Sequence, residues 1–329
     1  MRKINTVCEV RDRGLNMRDR YSNDISQLTP ITFLMRPLIS YYGGKGRIAS
    51  KIVSYINKIP HTVYVEPFCG GAAVLFAKPR RLVTNGDHYR EVINDTSDIL
   101  ISLYRCAIEC PDELALKLEA TLYSQSDHDR AKAICKNPKD YTQLEIAWAY
   151  FVNINSSFSN LLNESWSTQV KGENSAYTWQ NRITSLKEKL DRLQSVFISC
   201  EDALRCIDRF DSPQSLFYCD PPYPGKRQGH YEGYTMQDWV VLCDKLDSIQ
   251  GSYILSNYPQ GYEPKSARQR IEISATMSAG NGKTKGNKDK TKRTEVLWIC
   301  DRGKSDRPDI QKLLNQSQLI KPFQLELLA

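Results

Sequence analysis

Apolar positions along the chain fall into short strand-like runs and longer helical stripes, separated by turns rich in Gly, Pro and Asn. Thr62-Val63-Tyr64-Val65 is a β-branched and aromatic run of the kind that forms a strand. It enters the tight turn Glu66-Pro67-Phe68-Cys69-Gly70-Gly71, and Ala72 to Ala77 then starts a buried helix. A second strand ends at Val92-Ile93, directly before Asn94-Asp95. Strand, glycine turn, helix, strand and acid in this order make a βαβ unit.

Between residues 98 and 185 the pattern changes. Helical spacing runs from Ile99 to Leu118 and again around Ile146 to Phe151. From Asn153 to Asn160, and on to Thr178, Asn and Ser are interleaved with aromatics, which predicts loop. Ile183, Leu186, Leu190, Leu193 and Val196 restore an apolar stripe suited to core packing. The strand pattern then resumes with Leu216-Phe217-Tyr218-Cys219, which stops at Asp220. Thr235 to Gly251 predicts a helix, with Thr235 as N-cap, Asp238 three residues on, an apolar face through Trp239, Leu242, Cys243, Leu246 and Ile249, and a terminal Gly. Tyr253-Ile254-Leu255 and Glu295 to Ile299 are later strands. The fold class is therefore α/β, a sheet interrupted by a helical, polar insertion. The expected division is a flexible extension over 1–36, a sheet-bearing domain over 37–100 and 186–329, and the insertion over 101–185.

Composition narrows the classes. Of 329 residues, 40% are hydrophobic and 25% charged, ordinary for a chain that buries a core and unlike collagen, coiled coil or wholesale disorder. No window approaches about 18 consecutive apolar residues, and Met1 to Tyr21 lacks the apolar segment of a secretory signal. No membrane partner and a cytoplasmic location are expected. The net charge of +7 favours a polyanionic partner. The ten cysteines contain no C-x-x-C pair and only four His accompany them, so the expected metal is none and the thiols are expected free.

Four clusters carry chemistry. In Tyr41-Tyr42-Gly43-Gly44-Lys45-Gly46-Arg47, paired glycines let backbone approach a ligand and Lys45 can meet a negative group, although such a stretch also makes ordinary turns. Glu66 to Gly71 follows a strand and precedes a helix, where backbone N–H groups can meet a small anion such as a carboxylate. It is neither G-x-G-x-x-G nor a Walker A loop, which argues against a nucleotide dehydrogenase or a phosphate-cradling NTPase. Asp95 ends the next strand, where an acid can accept both ribose hydroxyls or lie as a plain loop acid. Asp220-Pro221-Pro222-Tyr223 closes a buried strand. Its prolines fix φ and remove two donors, leaving the Asp220 carboxylate and Pro221 carbonyl as rigid acceptors beside an aromatic ring. That rim suits a planar heterocycle bearing an NH₂ group.

The ordered set resembles the Dam-like (alpha-order) N6-adenine-specific DNA methyltransferases of the Asp-Pro-Pro-Tyr type. The resemblance rests on Tyr42 to Lys45, Glu66 to Gly71, Asn94-Asp95, an insertion, and Asp220 to Tyr223, and spans residues 37–300. Smaller echoes are Trp179-x-Asn181-Arg182, Glu201-Asp202-Ala203-Leu204, Leu255-Ser256-Asn257-Tyr258 and Arg293 to Trp298. It implies a Rossmann-like methyltransferase sheet, S-adenosylmethionine as cofactor, and methyl transfer to the N6 amino group of an adenine flipped out of duplex DNA. Tyr42, Lys45, Glu66, Phe68, Gly70, Gly71, Asp95 and Asp202 are the implied cofactor residues, with Asp202 equally readable as a helix cap before Ala203-Leu204. Asp220, Pro221, Pro222 and Tyr223 are the implied catalytic residues, and no cysteine nucleophile is needed. The insertion 101–185 is the implied target-recognition domain.

Candidates for DNA contact are Asn155, Asn160, Asn163 and Arg182, because Asn reads adenine and Arg reads guanine bidentately. The Arg that follows Asn-Gly-Leu in the best-known pattern is missing from Ser159-Asn160-Leu161-Leu162-Asn163, which leaves the target sequence open. The basic stretch with Lys283 and Lys285 reads as a phosphate contact or as a solvated hairpin loop. Expected partners are double-stranded DNA and, in a restriction–modification pair, a cognate endonuclease; the chain is expected to be a monomer. An RNA adenine or protein-amide methyltransferase, and a DNA-binding regulator on a decayed methylase, stay open as alternatives.

Overall fold

The computed structural model describes residues 35–41, 43–80, 89–168, 174–225, 233–276 and 292–303. Residues 1–34, Tyr42 and the basic stretch with Lys283 and Lys285 lie outside them. In chain order the elements are α1 (Ala49–Ile56), β1 (Val63–Glu66), α2 (Ala73–Ala77), β2 (Arg90–Asn94), α3 (Asp98–Glu109), α4 (Pro111–Glu119), α5 (Gln125–Lys136), α6 (Gln143–Ser156), α7 (Ser175–Thr184), α8 (Leu186–Leu193), β3 (Val196–Ser199), α9 (Ala203–Phe210), β4 (Ser215–Cys219), α10 (Met236–Ser248), β5 (Ser252–Asn257), β6 (Gln269–Thr276) and β7 (Lys292–Cys300). They build a Rossmann-like α/β fold.

The seven strands form one sheet in the order β3-β2-β1-β4-β5-β7-β6. The first five are parallel, and β7 runs antiparallel to both β5 and β6. Side chains alternate between the two faces, as a strand requires. Tyr64, Ile93, Leu216, Tyr218, Ile254 and Leu297 join the core shared with α1–α8, while Val65, Val92, Phe217, Leu255, Val296 and Trp298 join the core under α9 and α10. All five residues of β4 are buried, the signature of a central parallel strand. Chain order along the sheet reverses between β1 and β4. In open α/β sheets that switch point opens a crevice at the carboxyl ends of the strands, and the turns Glu66–Gly71 and Asp220–Tyr223 both leave from it.

Several boundaries differ from the sequence reading. The stripe from Ile99 to Leu118 breaks at Cys110, where Pro111 starts a new helix. The loop expected from Asn153 begins only at Ser157. α6 runs on to Ser156 because a Thr142–Glu145 capping box starts it and its apolar residues bury against α3 and α5. α5 and β6 are elements that the apolar pattern does not predict, because polar residues outnumber apolar ones in both. α5 is started by Ser124, whose hydroxyl accepts from Asp127 N at 3.1 Å, and buries Ala131, Ile134 and Cys135. The Gly expected to end α10 is no left-handed cap: the helix stops at Ser248, and Gly251 instead lets backbone approach, since a Cβ there would lie 2.8 Å from Ser215 O. Among the described residues, no helix is long and apolar enough to cross a membrane, and the nine cysteines are free.

Candidate active site

The turn after β1 is held from three sides. Gly70 adopts φ +46° and donates its N–H to Asp95 Oδ2 at 3.1 Å, while Tyr104 OH donates to Gly70 O at 2.8 Å. A Cβ on Gly70 or Gly71 would approach the Tyr41 side chain to 2.8 or 2.7 Å, so glycine is required for the Tyr41 segment to lie against the turn. Asn94 ties the ends of three strand connections together: its Nδ2 donates to Pro67 O and Glu201 O, each at 2.9 Å, and its Oδ1 accepts from Glu201 N at 3.0 Å. Asp95 is buried, and Ser97 N donates to its Oδ1 at 3.0 Å.

The turn after β4 faces this one. Lys45 Nζ donates to Asp220 Oδ1 at 2.6 Å and to Tyr223 OH at 2.9 Å. Tyr223 OH donates to Glu295 Oε2 at 3.1 Å, and Ser256 Oγ donates to Glu295 Oε1 at 2.7 Å. The Tyr223 ring stacks on Tyr258 with centroids 4.2 Å apart and planes 15° from parallel. Burial pushes the Asp220 pKa up to about 6 against the pull of Lys45. Burial also works against the Lys45 charge, but Asp220, Tyr223 and Glu295 outweigh it and hold the ammonium well above its ordinary pKa. Glu66, buried at the end of β1 with Tyr64 OH donating to its Oε1 at 2.8 Å, is raised by burial to about 8.

Two cavities open here. One of about 60 Å³ is bounded by Gly43–Lys45, Glu66–Gly71 and Asp220–Tyr223. The other, about 330 Å³, has Asp95 and Asp202 in its wall, together with apolar groups of Ala203, Leu204, Val241 and Leu242. Phe68 and Pro222 belong to both walls. Asp202 is the N-cap of α9, its Oδ1 accepting from Leu204 N and Arg205 N at 3.0 and 3.3 Å, and it lines the larger cavity as well. Lys45, Glu66, Phe68, Gly70, Gly71 and Asp220–Tyr223 thus meet at one crevice, with Asp95 and Asp202 in its adjoining chamber.

The four described candidates for DNA contact, Asn155, Asn160, Asn163 and Arg182, lie elsewhere. Asn155 Oδ1 accepts from Ser40 N at 3.1 Å and Arg182 Nη2 donates to Ser40 Oγ at 2.6 Å, so both hold the strand of chain that leads to Tyr41. Asn160 and Asn163 sit in left-handed conformations in the loop after α6, where Asn163 N donates to Asn153 Oδ1 at 2.8 Å. Glu295, Ser256, Tyr258 and Tyr104 are parts of the site with no role in the sequence reading. The first three stand in the ordered echoes Leu255 to Tyr258 and Arg293 to Trp298, and only the pairing of β5 with β7 brings them beside Tyr223.

A family model described as D12 class N6 adenine-specific DNA methyltransferase matches residues 41–256. The type II methyltransferase M.MjaIII of Methanocaldococcus jannaschii is 26% identical over 252 residues, 68% of this chain and 84% of that protein. The retron Ec67 DNA adenine methylase of Escherichia coli is 25% identical over 223 residues, 65% of this chain and 73% of that protein. Among solved structures, the rRNA methyltransferase aviRa of Streptomyces viridochromogenes aligns over 77% of this chain and 84% of its own at 14% identity, with a TM-score of 0.31. The family match takes in both turns of the crevice and the helices between them, and the chain belongs to the D12 class N6 adenine-specific DNA methyltransferase family.

Proposed function

We propose that this crevice carries out adenine methylation with S-adenosylmethionine as cofactor, and that Asp220, Pro221, Pro222 and Tyr223 hold the reacting adenine. The observation that carries the reading is the meeting of the two turns. The Asp220 carboxylate stands across a cavity of about 60 Å³ from the Glu66–Gly71 turn, at the switch point of the sheet.

The residues fit the cofactor by the chemistry of their donors and acceptors. The chamber of about 330 Å³ offers a carboxylate at Asp95, a second at Asp202 whose Oδ2 accepts no hydrogen bond among the described residues, and apolar walls between. That suits a nucleoside with a diol and an amino group. Asp95 would take the ribose hydroxyls and Asp202 the adenine amino group, with Gly70, Gly71, Glu66, Phe68 and Lys45 around the methionine part. When bound, the cofactor supplies an electrophilic methyl group on a sulfonium.

The chain's own residues do the rest. The lone pair of an exocyclic adenine nitrogen is delocalised into the ring. Hydrogen bonds from its two N–H groups to Asp220 and the Pro221 carbonyl favour the tetrahedral nitrogen that can attack. Bonds to a charged acceptor are worth about 1.5–3 kcal/mol each. An adenine must leave the duplex to reach Asp220, at a cost of a few kcal/mol. Stacking on the Tyr223 ring offsets about 1–3 kcal/mol of it. The motif order, with the Glu66 turn ahead of an insertion and Asp220 behind it, supports the alpha arrangement of the Dam-like, Asp-Pro-Pro-Tyr type. In this reading residues 37–100 and 186–329 form the catalytic domain and 101–185 the target-recognition domain, where Asn160 and Asn163 are the candidates to reach a base. Asn155 and Arg182 steady the chain at Ser40, ahead of the crevice. A cognate endonuclease remains a proposed partner.

The test uses labelled S-adenosylmethionine and unmethylated duplex DNA, with nucleosides resolved by mass spectrometry. N6-methyladenine is expected from the wild type and none from Asp220→Ala. Label in RNA or protein rather than DNA would sink the reading.

A further inference from the structure

Glu295 belongs to none of the motifs that define the crevice, yet it lies at the centre of its charge network. It is carried by β7, on the strand that pairs with β5, and is 4% exposed. Besides the hydroxyls of Ser256 and Tyr223, Lys45 Nζ stands 3.5 Å from its Oε1. Lys45 is therefore shared between two carboxylates, with the shorter contact, 2.6 Å, to Asp220. The Asp220 side chain is 19% exposed, against 6% for Lys45 and for Glu295. A group entering the crevice meets Asp220 first, with the lysine and the second carboxylate behind it.

In this arrangement the Lys45 ammonium occupies Asp220 Oδ1, one of the two oxygens that a target amino group can use, and its charge draws on the whole carboxylate. A buried ammonium left without an anion costs more than a neutral amine's hydrogen bonds return. Resting on the reading of Asp220 as the acceptor for the adenine amine, we infer that Lys45 is a positioning residue that passes from Asp220 to Glu295 as that amine arrives. Glu295, held by Ser256, is the berth that makes the exchange feasible. Lys45 keeps a carboxylate throughout, Asp220 Oδ1 is released and the carboxylate regains its full acceptor strength for the N–H, and Tyr223 stays tied to Glu295 through its hydroxyl. Only hydrogen bonds change partners; no covalent bond forms or breaks.

The groups that face Asp220 are Lys45 ahead of α1, Glu66 at the end of β1, Tyr218 and Cys219 on β4, Tyr223 beyond it and Glu295 on β7. Asp220 must be ionised to accept from the amine, so the rate rises with pH through about 6. Glu295→Gln removes a like charge and leaves Lys45 wholly on Asp220. Both effects lower the Asp220 pKa, so the acid limb moves to lower pH even as the plateau rate falls.

The experiment follows methyl transfer to unmethylated bacterial genomic DNA across the acid limb in the wild type, Glu295→Gln, Lys45→Gln and the double variant, with S-adenosylmethionine affinity measured by calorimetry. Glu295→Gln is expected to lose about tenfold or more in kcat/KM for DNA. It should keep its cofactor affinity and shift its acid limb downward. In the Lys45→Gln background the same change is expected to cost no further rate. Equal losses in both backgrounds, an unmoved or upward-shifted limb, or lost cofactor affinity overturns the exchange. If Glu295→Gln does not fold, Glu295→Asp draws the second carboxylate back from both Lys45 and Asp220 and should move the limb the same way; an unmoved limb there is equally fatal. Absence of transfer by the wild type overturns the functional reading and the exchange with it, whereas wild-type transfer with an unmoved Glu295→Gln profile overturns the exchange alone.

Discussion

Glu66 is 2% exposed and its hydrogen-bond donors do not compensate for lost water, so burial raises its pKa to about 8. A folded-state pKa above the unfolded value means that the native chain holds a proton the unfolded chain gives up. Stability attributable to this residue is complete below the unfolded pKa of 4.5 and is lost as pH rises toward about 8. Glu66→Gln, which keeps shape and hydrogen bonding, should remove that dependence. The melting temperature of the wild type, relative to Glu66→Gln, is expected to fall between the two values, and parallel curves for the two proteins would refute it. Residue identity at this scale was readable in part. Glu66, Gly70 and Asp220 announce themselves by neighbours that leave few other uses: glycines at a strand–helix turn, prolines that strip donors from a rim. Glu295 and Ser256 carry no such local mark, because a single acid or serine on a strand acquires meaning only from what lies across the ladder.

Elements follow similar logic. α10 was legible because its start is chemically explicit: Thr235 Oγ1 accepts from Asp238 N at 3.2 Å and Asp238 Oδ2 accepts from Thr235 N at 2.7 Å. Thr235→Ala is expected to cost about 1 kcal/mol in urea unfolding, with the crevice intact, since Thr235 touches neither turn. The sequence pattern predicts a shorter α6, because Asn153 and Asn155 look like loop residues. Both instead serve what lies beyond the helix, Asn153 Oδ1 receiving Asn163 N at 2.8 Å and Asn155 Oδ1 receiving Ser40 N at 3.1 Å. Propensity is a weak prior, and tertiary hydrogen bonds override it when the side chain has a distant partner. β6 leaves only a weak mark in the sequence, for a related reason. Among the described residues it is an edge strand with one neighbour, and its apolar alternation is short, Ile271 and Ile273 followed by the small Ala275.

Across the whole molecule, the sheet is tied to its helical layer by a buried charge cluster that no motif foretold. Glu91 on β2 accepts from Arg192 Nη1 on α8 at 2.7 Å and from Lys78 Nζ after α2 at 2.8 Å, and Lys78 also donates to Tyr89 OH. Burial opposes the Glu91 charge, but Lys78 and Arg192 overcome it and hold the carboxyl at about 2. The depressed value means stability present above the unfolded pKa of 4.5 and lost as pH falls toward about 2. Arg192→Ala leaves Glu91 half-compensated and should destabilise by about 3–5 kcal/mol, read from chemical denaturation at neutral pH; a change below about 1 kcal/mol, the range of an exposed pair, would contradict the cluster's role. The sequence alone determined the α/β class, the order of the two crevice turns and the rigid acceptor rim at Asp220, because each depends on neighbours within a few residues, where φ restriction, capping and apolar period act. Tertiary structure decided which acid faces which cation, where Asn94, Asn155 and Arg182 are used, and that Lys45 lies between Asp220 and Glu295. Those choices rest on distances between residues up to 250 positions apart, as for Lys45 and Glu295, and strand order, which sets them, is not written in any local stretch of chain.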